Sequence, residues 1–287
     1  MIAAVALAVA LTLTPTARAM QPGELVVLNV ASTTPLTSVK ARAFNTDIAG
    51  FAPDTADPLH WRVLIGIDLD ATIGKHAVVV TGSSASGPVE ATWQLTVIAK
   101  KFPTRRLSVD PNFVNPPAEA IPRIEAEQKE QAAIWAASAQ ERLWSGPFVR
   151  PVADPANSAF GTRSVFNGQP RGSHTGADFL SPSGRPVKAP NAGRVVLAKN
   201  LYYSGNCVII DHGLGVFTYF AHFSKINVAV GDLVTPGQVV GLVGATGRVT
   251  GAHLHWTLRV AGARVDPLAL LALLGQQSRD PLLEQRR

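Results

Sequence analysis

The stretch Ala252-His253-Leu254-His255-Trp256-Thr257-Leu258-Arg259-Val260 alternates polar and apolar residues with period two. Successive side chains of a β-strand point to opposite faces. Leu254, Trp256, Leu258 and Val260 therefore face a core, and His253, His255, Thr257 and Arg259 face away from it. Two imidazoles then stand about 7 Å apart on one face, at ~3.3 Å rise per residue. Both can reach one metal ion, or a metal and its bound water. Alone, such a pair fits an exposed polar face equally well.

Upstream of this strand the same kind of residue recurs. Five of the seven histidines fall between 174 and 255. His174-Thr175-Gly176-Ala177-Asp178 places a histidine and a carboxylate four residues apart, and His222 follows the apolar run Thr218-Tyr219-Phe220-Ala221. Fully extended, His174 and Asp178 lie ~13 Å apart, so convergence on one ion needs a bend, which Gly176 permits. The three clusters together supply five candidates. A catalytic zinc takes three protein ligands and keeps a position open for water, which leaves two side chains for proton transfer and oxyanion stabilisation.

These residues sit in a pattern that resembles the lysostaphin-like zinc peptidases that degrade peptidoglycan. The resemblance runs from about Pro147 to Leu270. It includes Phe166-Asn167-Gly168, His174-x-Gly176-x-Asp178, Gly205-Asn206-x-Val208-Ile209-Ile210-Asp211-His212-Gly213, Tyr219-Phe220-Ala221-His222-x-Ser224 and Thr250-Gly251-x-His253-Leu254-His255-Trp256. It implies a secreted zinc metallo-endopeptidase that cuts peptide cross-links of the cell wall. It also implies roles: His174, Asp178 and His255 as zinc ligands, and His222 and His253 as the catalytic pair, with the general base unassigned between them. His212 lies in a family-typical turn and is expected to be structural; His60 and His76 receive no role. The alternative is a non-catalytic wall-binding activator of other peptidoglycan hydrolases. Some relatives of that kind lack metal ligands, whereas no expected ligand is missing here.

The fold expected around this site is mainly β. Residues 20–100 read as an N-terminal β-sandwich, immunoglobulin-like, with strands at Glu24–Val30, Trp61–Ile67, His76–Val80 and Ala91–Ile98. Trp93, Leu95 and Val97 share one face. Residues 101–146 form a Pro-rich linker and a helix over about 118–144, a connector or, as the second reading, a helix packed on a neighbour. Residues 147–275 form an antiparallel β-sheet metallopeptidase domain, closed by a short apolar helix from Pro267, and 276–287 are a charged tail. Asp68-Leu69-Asp70 begins like a calcium loop, but its glycine comes one place late and no closing Glu follows.

Composition agrees. Hydrophobic residues make up 46% and charged residues 16%, with 24 Gly and 21 Pro, which favours short strands joined by turns. The formal charge is +6, yet Lys100, Lys101, Arg105 and Arg106 are the densest basic cluster, a solvated surface and not a nucleic-acid footprint. The apolar run Ile2–Leu13 with Ala17-Arg18-Ala19 reads as a signal peptide, residues 1–19, cleaved near Met20. The protein is thus expected to be exported, periplasmic or cell-wall associated, with no stable membrane span after cleavage. The lone Cys207 lies in an apolar strand and is expected in a core. The linker would also let the N-terminal domain dock back on the catalytic domain, restraining it; wall binding is the competing role.

Overall fold

The computed structural model describes residues 10–158 and 160–275. Residues 1–9 of the expected export signal and the charged tail lie outside them. In the N-terminal part β1 (Leu11–Thr16), β2 (Leu25–Ser32), β3 (Leu36–Ala43), β4 (Thr46–Ala49), β5 (His60–Gly66), β6 (Gly74–Ser84) and β7 (Gly87–Val97) follow in order. Sheet β1-β2-β5 faces sheet β4-β3-β6-β7, and Val26, Leu28, Val63, Ile65, Val78, Val80, Leu95 and Val97 fill the space between. The strands expected from the alternation are all present. Leu11–Thr16, within the expected signal, is an edge strand whose Leu/Thr alternation buries every second residue in part.

A connecting segment follows, with β8 (Thr104–Leu107) and helix α1 (Ile121–Ala136). The helix starts on Pro122 in its first turn, a position where the missing N–H costs nothing. It ends well short of residue 144. Asp211 draws the following chain away: Ser138 Oγ and the Ala139 amide both donate to its carboxylate at 2.7 Å. The helix packs on the catalytic sheet, with Trp135 edge-on to Phe217 at 5.3 Å, which is the second of the two sequence readings.

The remaining strands are β9 (Ala156–Ser158), β10 (Arg163–Phe166), β11 (Gln169–Ser173), β12 (Gly176–Phe179), β13 (Pro186–Lys188), β14 (Gly193–Leu201), β15 (Gly205–Asp211), β16 (Val216–Ile226), β17 (Leu233–Val234), β18 (Val239–Val243), β19 (Leu254–Val260) and β20 (Ala263–Val265), then helix α2 (Pro267–Leu274). The main sheet runs β17-β14-β15-β16-β19-β12-β9. Its inner face carries Val208, Ile210, Phe220, Phe223, Leu254, Trp256 and Leu258. Cys207, fully buried, lies on the other face beneath α1 with Leu197, Ile209 and Phe217.

The sandwich rests on the end of this domain formed by β19, β20 and α2. Leu25, Val27, Phe51 and Leu64 join the main core. Arg264 bridges Asp68 and Asp70, the pair that begins like a calcium loop, and Arg18 bridges Glu24 and Asp266. Gly66 has no room for a Cβ, which would lie 2.7 Å from that of Ala263. Strand β8 instead pairs in parallel with β10, in a separate sheet β11-β10-β8. Among the described residues no helix is long and apolar enough to cross a membrane.

Candidate active site

Three adjacent strands bring the candidate side chains together. On β12 and β19, Asp178 stands directly opposite His255, and on β16 Ala221 stands opposite His255 from the other side. His174 precedes β12 and is held by its amide on Thr162 O. Gly176 also matters here through space. A Cβ on it would lie 2.4 Å from Trp256 O and 2.8 Å from His255 Cε1.

His222 reaches the site by a bulge. Between the pairs Asn206↔Phe223 and Val208↔Phe220, β15 advances two residues and β16 advances three. The extra residue is His222, in the left-handed region at φ 68°. Strict alternation would turn its side chain into the core. The bulge lets Ala221 and His222 both line the cleft, and Phe223 returns to the core. The His222 amide is held by Ser204 O.

His174 Nε2, Asp178 Oδ1 and His255 Nδ1 form a triangle with sides of 2.9, 2.8 and 3.1 Å. Each nitrogen can donate to the carboxylate oxygen. The third side cannot then be a hydrogen bond, because two N–H groups would face each other. A cation at the centre removes that conflict. Donors about 2.0–2.1 Å from a tetrahedral zinc ion stand roughly 3.3 Å apart, within a few tenths of an ångström of these sides. Two imidazoles and a carboxylate are also a donor set that zinc accepts. His255 Nε2 is engaged with Thr257 Oγ1 at 2.9 Å, which orients the ring from behind.

The electrostatics fit. Burial opposes ionisation of Asp178, but the hydrogen bonds from His174 and His255 outweigh it and hold the carboxyl far below its usual range. Burial lowers the pKa of His255, against the pull of Asp178. Burial, with His255 and His253 nearby, pushes His222 down to about 3. Both catalytic candidates are fixed through Nδ1: His222 donates to Thr246 O and His253 to Gly251 O, each at 2.9 Å. That leaves Nε2 of each ring with its lone pair. His253 Nε2 lies 3.8 Å from Asp178 Oδ1, and the two rings are 4.8 Å apart.

All five predicted residues line one cleft of about 510 Å³. His212 does not: it is fully buried, with Nδ1 donating to Ala192 O and Nε2 accepting from Thr218 Oγ1. His60 and His76 lie in the sandwich, away from the cleft. Sequence reasoning missed the residues that wall the cleft. Arg105 on β8 comes within 3.9 Å of Asp178 Oδ2; it was visible only as part of a basic cluster. Arg171 and Arg248 carried no motif. None of the described residues 20–100 lines the cleft.

Comparison with known proteins places this site. Residues 172–267 match the model of peptidase family M23. The peptidoglycan DD-endopeptidase ShyA of Vibrio cholerae is 47% identical over 95 residues, 33% of this chain and 22% of ShyA. Lysostaphin of Staphylococcus simulans is 42% identical over 110 residues, 36% of this chain and 22% of lysostaphin. The match thus spans about a fifth of the length of these curated relatives. A Pseudomonas aeruginosa protein whose crystal structure carries the peptidase M23 designation is 30% identical, with a TM-score of 0.69, and the match covers 88% of this chain and 96% of that one. Likeness over nearly the whole of both chains, with the matched segment holding all five cleft residues, shows that the chain belongs to peptidase family M23.

Proposed function

We propose that the protein is an exported zinc metallo-endopeptidase that hydrolyses peptide cross-links of bacterial peptidoglycan. The observation that carries this reading is the triangle of His174, Asp178 and His255, three donors spaced as the ligands of one cation would be, in a cleft that also holds two fixed imidazoles. Bound there, zinc would supply Lewis acidity toward a carbonyl oxygen and acidify a water molecule. The chain's own residues do the rest. Thr257 keeps the His255 ring in place. Thr246 O and Gly251 O keep the Nε2 lone pairs of His222 and His253 available. These two lone pairs would take the water proton and steady the developing oxyanion, with the base unassigned between His222 and His253.

Export rests on Ile2–Leu13 and Ala17-Arg18-Ala19. Cleavage there would remove edge strand β1 and Arg18, while Lys100 keeps Glu24 paired at 3.0 Å. N-terminal sequencing of the exported protein, expected to begin near Met20, checks it. The docked sandwich acts in this reading as a support for the β19–β20 end of the sheet.

The deciding experiment combines elemental analysis with mass spectrometry of products from defined muropeptides. One zinc per chain, lost in His255→Ala and Asp178→Ala, with cross-links cut by the wild type, is the expected result. Equal zinc in all three proteins overturns the ligand assignment. Zinc without cleavage turns the reading to the non-catalytic activator.

A further inference from the structure

Residues 244–247 follow β18 and do not line the cleft, yet both imidazoles of the catalytic pair depend on them. His222 donates from Nδ1 to Thr246 O at 2.9 Å. The His253 amide donates to Gly244 O at 3.2 Å, and these two residues form an isolated bridge. One short loop thus holds one ring directly and the other through its backbone. A carbonyl only accepts, so the contact with Thr246 also fixes the His222 proton on Nδ1 and leaves Nε2 with its lone pair.

The Thr246 side chain decides where this loop sits. Its hydroxyl accepts from the Asn206 amide at 2.9 Å and donates to Phe223 O at 2.8 Å. Asn206 and Phe223 are Cα partners on β15 and β16, and the bulge that carries His222 begins beside them. The hydroxyl therefore pins the loop to both strands at the point where their register slips. Close backbone packing adds to it. A Cβ on Gly205 would lie 2.3 Å from Thr246 Oγ1, and one on Gly247 would lie 2.3 Å from the Gly205 nitrogen, so the two turns press together with no side chain between them. A methyl in place of the hydroxyl needs about 3.4 Å from either strand atom, so the loop would have to lift by roughly half an ångström. Phe223 O would keep the Asn206 side-chain amide at 3.1 Å, whereas the Asn206 backbone amide would lose this acceptor.

We infer that Thr246 is a positioning residue for the catalytic pair. Its hydroxyl, bridging β15 and β16, holds the loop that sets the His222 tautomer and the 4.8 Å spacing of the His222 and His253 rings. None of residues 244–247 belongs to the triangle or lines the cleft, so loss of the hydroxyl is felt in the chemical step and not in zinc content or substrate affinity. This inference rests on the peptidase reading above.

The test uses the full, zinc-loaded protein and compares Thr246→Val, Thr246→Ala and Thr246→Ser on a soluble cross-linked peptide. The first two should lower kcat by roughly 10- to 100-fold, the scale set by small misplacements of reacting groups, with KM and zinc content as in the wild type. Thr246→Ser keeps the hydroxyl and should recover most of the rate. Heteronuclear NMR of the histidine rings supplies a readout that a general loss of stability would not move. The wild type and Thr246→Ser should show His222 protonated on Nδ1 alone, and Thr246→Val a mixture of both tautomers; His222→Gln identifies the resonance. A wild-type kcat or a wild-type ring spectrum in Thr246→Val overturns the inference, and so does a Thr246→Ser as slow as Thr246→Val. A loss that appears in KM or in zinc content refutes it as well. Failure of both Thr246→Val and Thr246→Ala to fold, read by melting temperature, also refutes it, since the hydroxyl would then be a folding contact. Should the wild type cut no cross-linked peptide, the peptidase reading fails, and the ring spectra still decide whether Thr246 positions His222.

Discussion

Gly176→Ala is the smallest change that should disable the site without touching a ligand. The added Cβ would lie 2.4 Å from Trp256 O, against about 3.4 Å for ordinary contact. The obstacle is backbone of the neighbouring strand, so relief requires β12 to move about 1 Å away from β19. That displacement would carry Asp178 Oδ1 from 2.8 Å to nearly 4 Å from His255 Nδ1. Nor can the His255 ring turn aside freely. The same Cβ meets its Cε1 and Nε2 at 2.8 and 2.9 Å, and rotation breaks the hydrogen bond to Thr257. Overpacking of this kind costs roughly 1–3 kcal/mol of stability. A 1 Å misplacement of reacting groups costs about 10²-fold in rate. The assay is zinc content in metal-buffered solution together with turnover of a cross-linked peptide. Gly172→Ala, whose Cβ would meet nothing within 4 Å, is the control. Full zinc and normal turnover in Gly176→Ala would refute the reasoning, as would equal damage from Gly172→Ala.

Four further outcomes follow from the same geometry. His222→Ala and His253→Ala should each keep the zinc and lose about 10²–10⁴-fold in turnover; near-normal rates in both would remove their catalytic role. Activity should fall as pH drops, because the ligand and base imidazoles must keep their lone pairs; His222 is held down at about 3, so a limb set by it lies well below the ordinary imidazole range of ~6.5, and a flat rate from about pH 3 to 8 would count against an imidazole base. Burial pushes His212 down to about 4, so its contribution to stability is present above ~6.5, the unfolded value, and is lost as pH falls toward 4. That is about 3 kcal/mol at ~1.4 per unit, read by urea unfolding at pH 7 and 4.5; an identical pH slope in His212→Gln would sink it. Finally, a chain starting at Gly146 should turn over a soluble cross-linked peptide no faster than residues 20–287, because no described residue of the sandwich lines the cleft and the truncation also takes Arg105, Leu107, Val109 and Gln131 out of its wall; acceleration would mean that the N-terminal part restrains the enzyme.

How far the sequence disclosed this arrangement depends on the reach of each interaction. The face assignment of His253 to Val260 held at every apolar position, because period two is set by the strand itself: Leu254, Trp256, Leu258 and Val260 are all buried. His222 is different. Alternation alone sends it into the core, and only the three-against-two step of β16 on β15 returns it to the cleft. The helix expected to 144 ends at Ala136 because a carboxylate more than 70 residues away captures its next turn. Strand β8 was hidden for a similar reason. Four residues, three of them polar, give no usable pattern, and its parallel partner β10 lies some 60 residues downstream. At Gly176 the sequence shows a place where the chain can bend, whereas the crowding by Trp256 O and His255 that also calls for glycine there leaves no trace in local sequence.

The parts of the site differ in how they are held, and the difference follows the chemistry each must perform. Asp178 and His255 sit in register on paired strands and are tied together with His174, where backbone ladders leave little play. Metal binding needs that rigidity, because donor spacing decides whether an ion fits. His222 and His253 stand on a bulge and at the mouth of a strand, each fixed by one hydrogen bond from Nδ1 to a loop carbonyl. A single anchor sets which nitrogen faces the cleft yet lets the ring swing as a proton moves. The third wall comes from outside the main sheet: Arg105 on β8 and Arg171 on β11, strands of one small sheet, with Arg248 beside them in the cleft. Of these cations Arg105 reaches the triangle itself, 3.9 Å from Asp178 Oδ2. Substitutions at 176 and 257, which shape the triangle and do not line the cleft, should therefore slow cleavage of every peptide alike, by about 10²-fold at 176.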